Sequence, residues 1–324
     1  RSLSLLLLAE VAGMSLWFVS SAILPDMIRE ADISSLRQAA LSSGVQAGFV
    51  VGALVVAFLG LADRYDPRRI FAISAVLAAL VNLSLIVSVP GSTAAILARF
   101  VTGALLAGVY PVGMKIVVGW GPKDRGFLVG ALIAALTLGS AFPHLLALAG
   151  GANWRGTVVA VSLAAALGGL LCLLVSLGPY HAVAPRFNPR VIATAWTNRR
   201  VRLAYAGYLG HMWELYAMWA WIGLATATSY ALTMPADQAI RLATLTAFTA
   251  IAAGGLASVL AGLVADRIGK AEVALVAMLV SGTSALAVAL SFGGPAWLTF
   301  VVVVIWGISI IPDSAQFSAL VADH

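Results

Sequence analysis

Long apolar runs separated by short polar stretches recur along the whole chain. Their edges place candidate spans at Leu3–Leu24, Gln38–Ala62, Ile70–Val89, Thr93–Val118, Gly126–Ala149, Thr157–Leu177, Arg202–Ala225, Leu242–Ala265, Glu272–Phe292 and Trp297–Leu320. Each is close to the roughly 20 apolar residues that cross a bilayer. The runs are continuous rather than alternating, which excludes barrel strands. A backbone in lipid must satisfy its own hydrogen bonds, so every run is predicted as a helix. The expected fold class is an all-α polytopic membrane protein.

The polar stretches repeat. Asp63-Arg64-Tyr65-Asp66-Pro67-Arg68-Arg69 follows the second span, and Asp266-Arg267-Ile268-Gly269-Lys270 follows the eighth. The interval from Asp63 to Asp266 nearly equals that from Pro111 to Pro312, which lie in the fourth and tenth spans. The longest loop, 178–201, separates six spans from four and reads as a linker. These features predict two pseudo-symmetric helix bundles, six helices plus at least four, over residues 1–178 and 202–324, a parallel-repeat arrangement found in transporters.

Composition narrows the class. The chain is 61% hydrophobic and 10% charged, against about 25% charged in a soluble domain. Its net charge of +6 therefore reads as loop asymmetry, not as a nucleic-acid footprint. Arg1, Arg64, Arg68, Arg69, Lys123, Arg125, Arg186, Arg190, Arg199, Arg200, Arg202, Arg267 and Lys270 fall in one set of loops. Only Arg29, Arg37, Arg155 and Arg241 fall in the other. Positive loops stay inside, so the N-terminus and the 178–201 loop are expected in the cytoplasm, and the protein in a bacterial cytoplasmic (inner) membrane. Cys172 is the single cysteine, so no intrachain disulfide is possible. The first apolar run is too long for a cleavable signal core, and without an initiator methionine the numbering is expected to begin inside a longer chain.

Gly262-Leu263-Val264-Ala265-Asp266-Arg267-Ile268-Gly269-Lys270 closely resembles the signature that the major facilitator superfamily carries after its eighth helix, and Asp63, Arg64, Arg68 and Arg69 resemble the copy after its second. In that copy Leu59 replaces the first glycine and Asp66-Pro67 the second. Arg99 followed by Gly103 is similar to a second family motif, in the fourth helix; Gly130, Gly139 and Pro143 only echo a third, in the fifth. The resemblance implies twelve helices, so the second bundle is expected to lack its last two. It also implies a conformational latch: Asp266 would reach the start of the fifth helix near Arg125 and Phe127, and Asp63 the start of an eleventh, with Arg64, Arg68, Arg69, Arg267 and Lys270 around them. An aspartate gains nothing at the C-terminal end of its own helix, where the macrodipole is negative, and is better satisfied by free N–H groups at a facing helix start.

Ionisable groups inside spans cost about 2.5–3.5 kcal/mol or more each, so each needs a reason. They are Glu10, Arg99, His144, His211, Glu214 and Asp313. The resemblance implies that the first, fourth, seventh and tenth helices line a central cavity, and all but His144 fall on these. The seventh span is the richest: Gly207, His211, Glu214, Met218 and Trp221 share one face, so His211 and Glu214 are expected to touch and exchange a proton near neutral pH. Glu10 shares a face with Met14, Trp17 and Ser21. Arg99 is expected either to bind an anion or to pair with Glu10. Lys115 is expected to snorkel to the membrane surface. Asp313 follows Pro312, with Gln316 one turn on, combining a helix kink with a polar site; Pro111 marks the matching bend. Gly103, Gly108 and Gly113 are explained by close helix packing.

The sequence contains no phosphate-binding Gly-x-x-x-x-Gly-Lys-Ser/Thr loop, and no cofactor is expected. The functional expectation is a secondary active transporter, monomeric in the lipid bilayer, whose partners are protons and a small-molecule solute, in first place a small anion. Arginines inside the second and eighth spans and an asparagine in the fifth, hallmarks of the nitrate-type branch, are missing, which disfavours nitrate. A hydrophobic drug/proton efflux antiporter is the alternative, in line with Trp17, Trp213 and Trp219. A polytopic membrane enzyme needs a catalytic cluster at one membrane face, and the four histidines are scattered. A non-transporting sensor is the remaining class.

Overall fold

The computed structural model describes residues 1–121, 125–150, 153–181, 197–314 and 316–317, with the backbone alone for 125, 126 and 266. All regular structure among the described residues is helical. Nine helical segments there are long and apolar enough to cross a membrane. The remaining span, the seventh of the ten expected, forms a 33-residue helix, Arg199–Ala231, whose tyrosines, tryptophans, His211 and Glu214 lower its mean hydropathy.

The chain divides into two compact units, Arg1–Pro185 and Arg186–His324. The first contains α1 (Ser2–Met14), α2 (Val19–Glu30), α3 (Ser35–Leu59), α4 (Leu61–Arg64) and α5 (Pro67–Leu83). It continues with α6 (Thr93–Leu106), α7 (Tyr110–Val118), α8 (Arg125–Gly150) and α9 (Trp154–Cys172). The second contains α10 (Arg199–Ala231), α11 (Ala236–Ile268), α12 (Lys270–Ser291) and α13 (Ala296–Ile310). Helix starts follow capping chemistry. Asp66 accepts from the backbone N–H of Arg68, with Pro67 in the first turn. Ser92, Asn153 and Asn198 cap α6, α9 and α10 in the same way, each satisfying an amide that the helix leaves open.

Three expected spans are interrupted. The first breaks between Met14 and Val19 into α1 and α2. The fourth breaks between Leu106 and Tyr110, with Pro111 in the first turn of α7. In the tenth, α13 stops at Ile310, just before Pro312. Proline accounts for the last two, because its ring blocks the preceding turn. It does not account for the first.

In the first unit α3 crosses α6 tightly, α5 packs on α9, and α1 lies against α8 and α9. In the second, α11 packs on α10 and α13, and α12 on α13. The crossings α3–α6 and α11–α13 use the same device. A Cβ on Gly103 would run into the backbone oxygen of Val45, and one on Gly307 into that of Ala250. Only glycine lets these backbones approach so closely.

Candidate functional site

In the first unit Arg99 of α6 has no exposed surface. Its guanidinium reaches the break between α1 and α2, where Nη2 donates to the carbonyls of Leu16 at 2.8 Å and Trp17 at 2.7 Å. These carbonyls lack helical partners, so the cation occupies the negative end of α1. Nη1 donates to Asn82 Oδ1 of α5 at 2.8 Å, and Asn82 Nδ2 donates to Ser162 Oγ of α9 at 3.0 Å. One buried arginine thus links four helices and explains why the first span breaks without a proline.

This corrects the expected Arg99–Glu10 pairing. Glu10 is completely buried, and neither of its carboxyl oxygens has a hydrogen-bond partner. Trp17 is buried with its ring 4.5 Å from that of Phe49 on α3. His144 on α8 is buried as well, its Nε2 without a partner.

Asp63 also departs from expectation. Lys115 of α7 donates to the Asp63 carboxylate and, at 2.7 Å, to the carbonyl of Ala62. The latch aspartate is therefore engaged inside its own unit without an eleventh helix, and Lys115 holds a partner instead of snorkelling. Arg68 grips Asp66 through Nε at 3.0 Å and Nη2 at 2.7 Å, while Nη1 donates to the Val175 carbonyl just past α9 at 3.1 Å. The hydrogen-bonded Arg68 guanidinium holds the Asp66 carboxyl below the usual carboxylate range. Arg64 and Arg69 are exposed.

In the second unit His211 of α10 faces Asp313, not Glu214. His211 Nδ1 stands 2.8 Å from Asp313 Oδ1, both side chains being almost wholly buried. The contact does not meet the geometry of an aligned hydrogen bond. The imidazole stacks 5.9 Å from the Tyr208 ring and lies 6.2 Å from that of Phe317. Glu214, one turn along α10, accepts from Trp306 Nε1 of α13 at 2.8 Å and from Ser281 Oγ of α12 at 3.2 Å. The expected His211–Glu214 pair is thus replaced by two cross-helix contacts. Residues one turn apart share a stripe, but packing on different neighbours draws them to different partners.

Gln316 is buried near Asp313 in sequence, and Trp221 is half-buried on α10. Pro111 is exposed at the start of α7, and Pro312 is buried. Arg267 is exposed and Lys270 half-buried at the α11–α12 turn. The side chains of Asp266 and of Arg125, its expected contact point, and most of the expected linker lie outside the described residues.

Asn82, Ser281 and Trp306 were not foreseen as site residues. Asn82 carried a usable signal, an amide inside an otherwise apolar span; Ser281 and Trp306 look like ordinary membrane residues. No group of three or more metal-binding side chains occurs among the described residues.

A helical membrane chain in two units with internally matching crossings, broken spans and buried charges has the architecture of secondary transporters that work by alternating access. The family model described as Major Facilitator Superfamily matches residues 5–324, and the chain belongs to that superfamily. No curated protein matches it by sequence. Among solved structures it is similar to a bacterial homologue of the human lysosomal transporter Spinster in an inward-facing, unoccupied conformation. The TM-score is 0.73 and the identity 15%, over 99% of this chain and 75% of the other. The same homologue in an occupied conformation gives 0.70 at 17% identity, over 97% and 72%. The xylose transporter XylE from E. coli, partially occluded and inward-open, gives 0.69 at 13%, over 99% and 87%. Family and neighbours point to membrane transport rather than an enzyme.

Proposed function

We propose that the protein is a proton-coupled secondary transporter of a small solute, and that the His211–Asp313 pair carries the coupling proton. The observation that supports this most is the placement of an imidazole 2.8 Å from a carboxylate, both nearly sealed from solvent, beside the helix end at Pro312. In this reading a proton enters and leaves the pair as a unit. A helix end at Pro312 lets its geometry respond when the helix moves.

A small anion loses its main support, because the Arg99 terminal nitrogens are engaged by Leu16, Trp17 and Asn82. Glu214 and Asp313, with Trp306 and Trp221 on the same helices, favour a neutral or cationic solute with apolar parts. That is the chemistry of the drug/proton antiporter reading. In this proposal the basic loops face the cytoplasm of a bacterial inner membrane and the protein acts as a monomer.

The test is transport in proteoliposomes with an internal pH dye and an imposed pH gradient, screened with sugars, organic acids and apolar cations. Solute-dependent proton movement that Asp313→Asn abolishes, with solute exchange retained, supports the reading. Solute flux unaccompanied by protons, or unchanged coupling in Asp313→Asn, defeats it.

A further inference from the structure

Residues 175–181 run on from α9 into the 178–201 loop and have no task in the reading above, yet they are fastened at three points. Turn hydrogen bonds continue past Cys172 as far as the Val175 N–H, and Val175 is wholly buried. Its carbonyl accepts from Arg68 Nη1, at the start of α5, at 3.1 Å. The Ser176 N–H donates to Ser2 Oγ, at the start of α1, at 3.3 Å. The Tyr180 N–H donates to the carbonyl of Gly119, which caps α7, at 3.0 Å. A helix end leaves such carbonyls open, so the segment completes α7.

The third fastening is built from two glycines. A Cβ on Gly178 would stand 2.1 Å from the Gly119 oxygen and 2.6 Å from Trp120 Cα. A Cβ on Gly119 would stand 3.1 Å from His181 Cα and 3.3 Å from its backbone nitrogen. Neither glycine has a positive φ, so no turn requires them. What requires them is backbone lying directly on backbone. In the crossings α3–α6 and α11–α13 that device joins two helices; here it seats an irregular segment on a helix end. Loops usually lie loosely over a surface, and this one is fitted.

The support it is fitted to has a second load. α7 is a nine-residue helix separated from α6 by the break after Leu106. Lys115, one turn before Gly119, holds the Asp63 carboxylate and the Ala62 carbonyl. The Asp63 contact and the seated segment therefore share the last turn of a short helix, about 6 Å apart along its axis. A hydrogen-bonded turn moves as a unit, so a displacement that opens one contact strains the other.

We infer that residues 175–181 form a strap that couples the start of the 178–201 loop to the Lys115–Asp63 contact, the two holding or releasing together through the last turn of α7. By linkage the coupling is reciprocal. Unseating the strap loosens the turn that carries Asp63, and breaking the Lys115–Asp63 contact loosens the strap. The inference holds whatever solute or ion the protein moves, and it does not depend on the His211–Asp313 pair in the other unit.

Hydrogen–deuterium exchange of the full chain in lipid nanodiscs reads local opening and requires no substrate. Gly178→Val is expected to speed exchange about fivefold or more in the 176–181 amides and also in the 61–65 turn, which it does not touch. Lys115→Ala is expected to speed the 61–65 turn and, by less, the strap. Gly119→Ala, a milder change, is expected to act in the same direction as Gly178→Val and serves if that variant does not fold. Faster exchange confined to each variant's own site overturns the coupling. Equal acceleration of the 31–34 turn, at the opposite end of α3, in both glycine variants would mark general loosening and overturns it too.

Discussion

In the first unit Arg99 commits its guanidinium to three acceptors supplied by the protein, the carbonyls of Leu16 and Trp17 and the Asn82 amide oxygen. In the second, His211 and Asp313 meet 2.8 Å apart, both almost wholly buried. A guanidinium stays protonated at any ordinary pH, so the first arrangement is permanent and holds a helix break open. In the reading proposed above, the imidazole–carboxylate pair is the arrangement that responds to its surroundings. The difference teaches that a charge buried in a span is not by itself a transport residue. What it faces decides whether it braces or switches.

The comparison is broken most directly at Arg99. Arg99→Met leaves three buried acceptors without donors, and the expected loss is about 3–5 kcal/mol, read as a lowered unfolding temperature in detergent. Asp313→Asn keeps an amide beside His211 and is expected to cost about 1 kcal/mol. Equal losses would show that the pair is a brace like Arg99. Next come the glycine crossings: Gly103→Val and Gly307→Val force side chains into the backbones of Val45 and Ala250. Each is expected to cost about 1–3 kcal/mol, and a large effect in one unit alone would show that the crossings do not do the same job.

Glu214→Gln replaces one of the two carboxyl oxygens that accept from Trp306 and Ser281, for an expected stability loss of about 1 kcal/mol. It should leave pH-driven uptake coupled; uncoupled uptake would move the proton site from Asp313 to Glu214. Lys115→Ala breaks a partly exposed pair with Asp63, worth about 0–1 kcal/mol and less at high salt, as unfolding at two ionic strengths would show. The smallest effect belongs to Asp66. Its carboxyl is held below the usual range by Arg68, so its contribution is complete at neutral pH, survives through the ordinary carboxylate range, and is lost only as the pH falls below it. Deleting the pair through Asp66→Asn should remove that acid-side step from the stability–pH curve.

Much of the helical framework could be read before any coordinates. The fourth span, Thr93–Val118, coincides with the structure, and the Asp-Arg clusters fall at the ends of α3 and α11. Boundaries drifted where helices run on beyond the apolar run, as when α11 begins at Ala236 and carries Asp237 and Arg241. The break at Ser15–Phe18 left no mark in its own segment, since its cause, Arg99, sits in another span. Glu10, Arg99, His211 and Asp313 were visible because an ionisable residue in lipid is conspicuous, but their partners were not.

The sequence alone therefore determined the helical class, the membrane setting, the two-part repeat and the superfamily resemblance. Each of these follows from local hydropathy, loop charge or spacing along one strand of text. Only the tertiary structure decided that Arg99 faces carbonyls, that His211 meets Asp313, that Lys115 holds Asp63, and that Glu10 lies against Gly113. Such pairings depend on how neighbouring helices are rotated and how deeply they are set against one another, and no single helix records that in its own pattern.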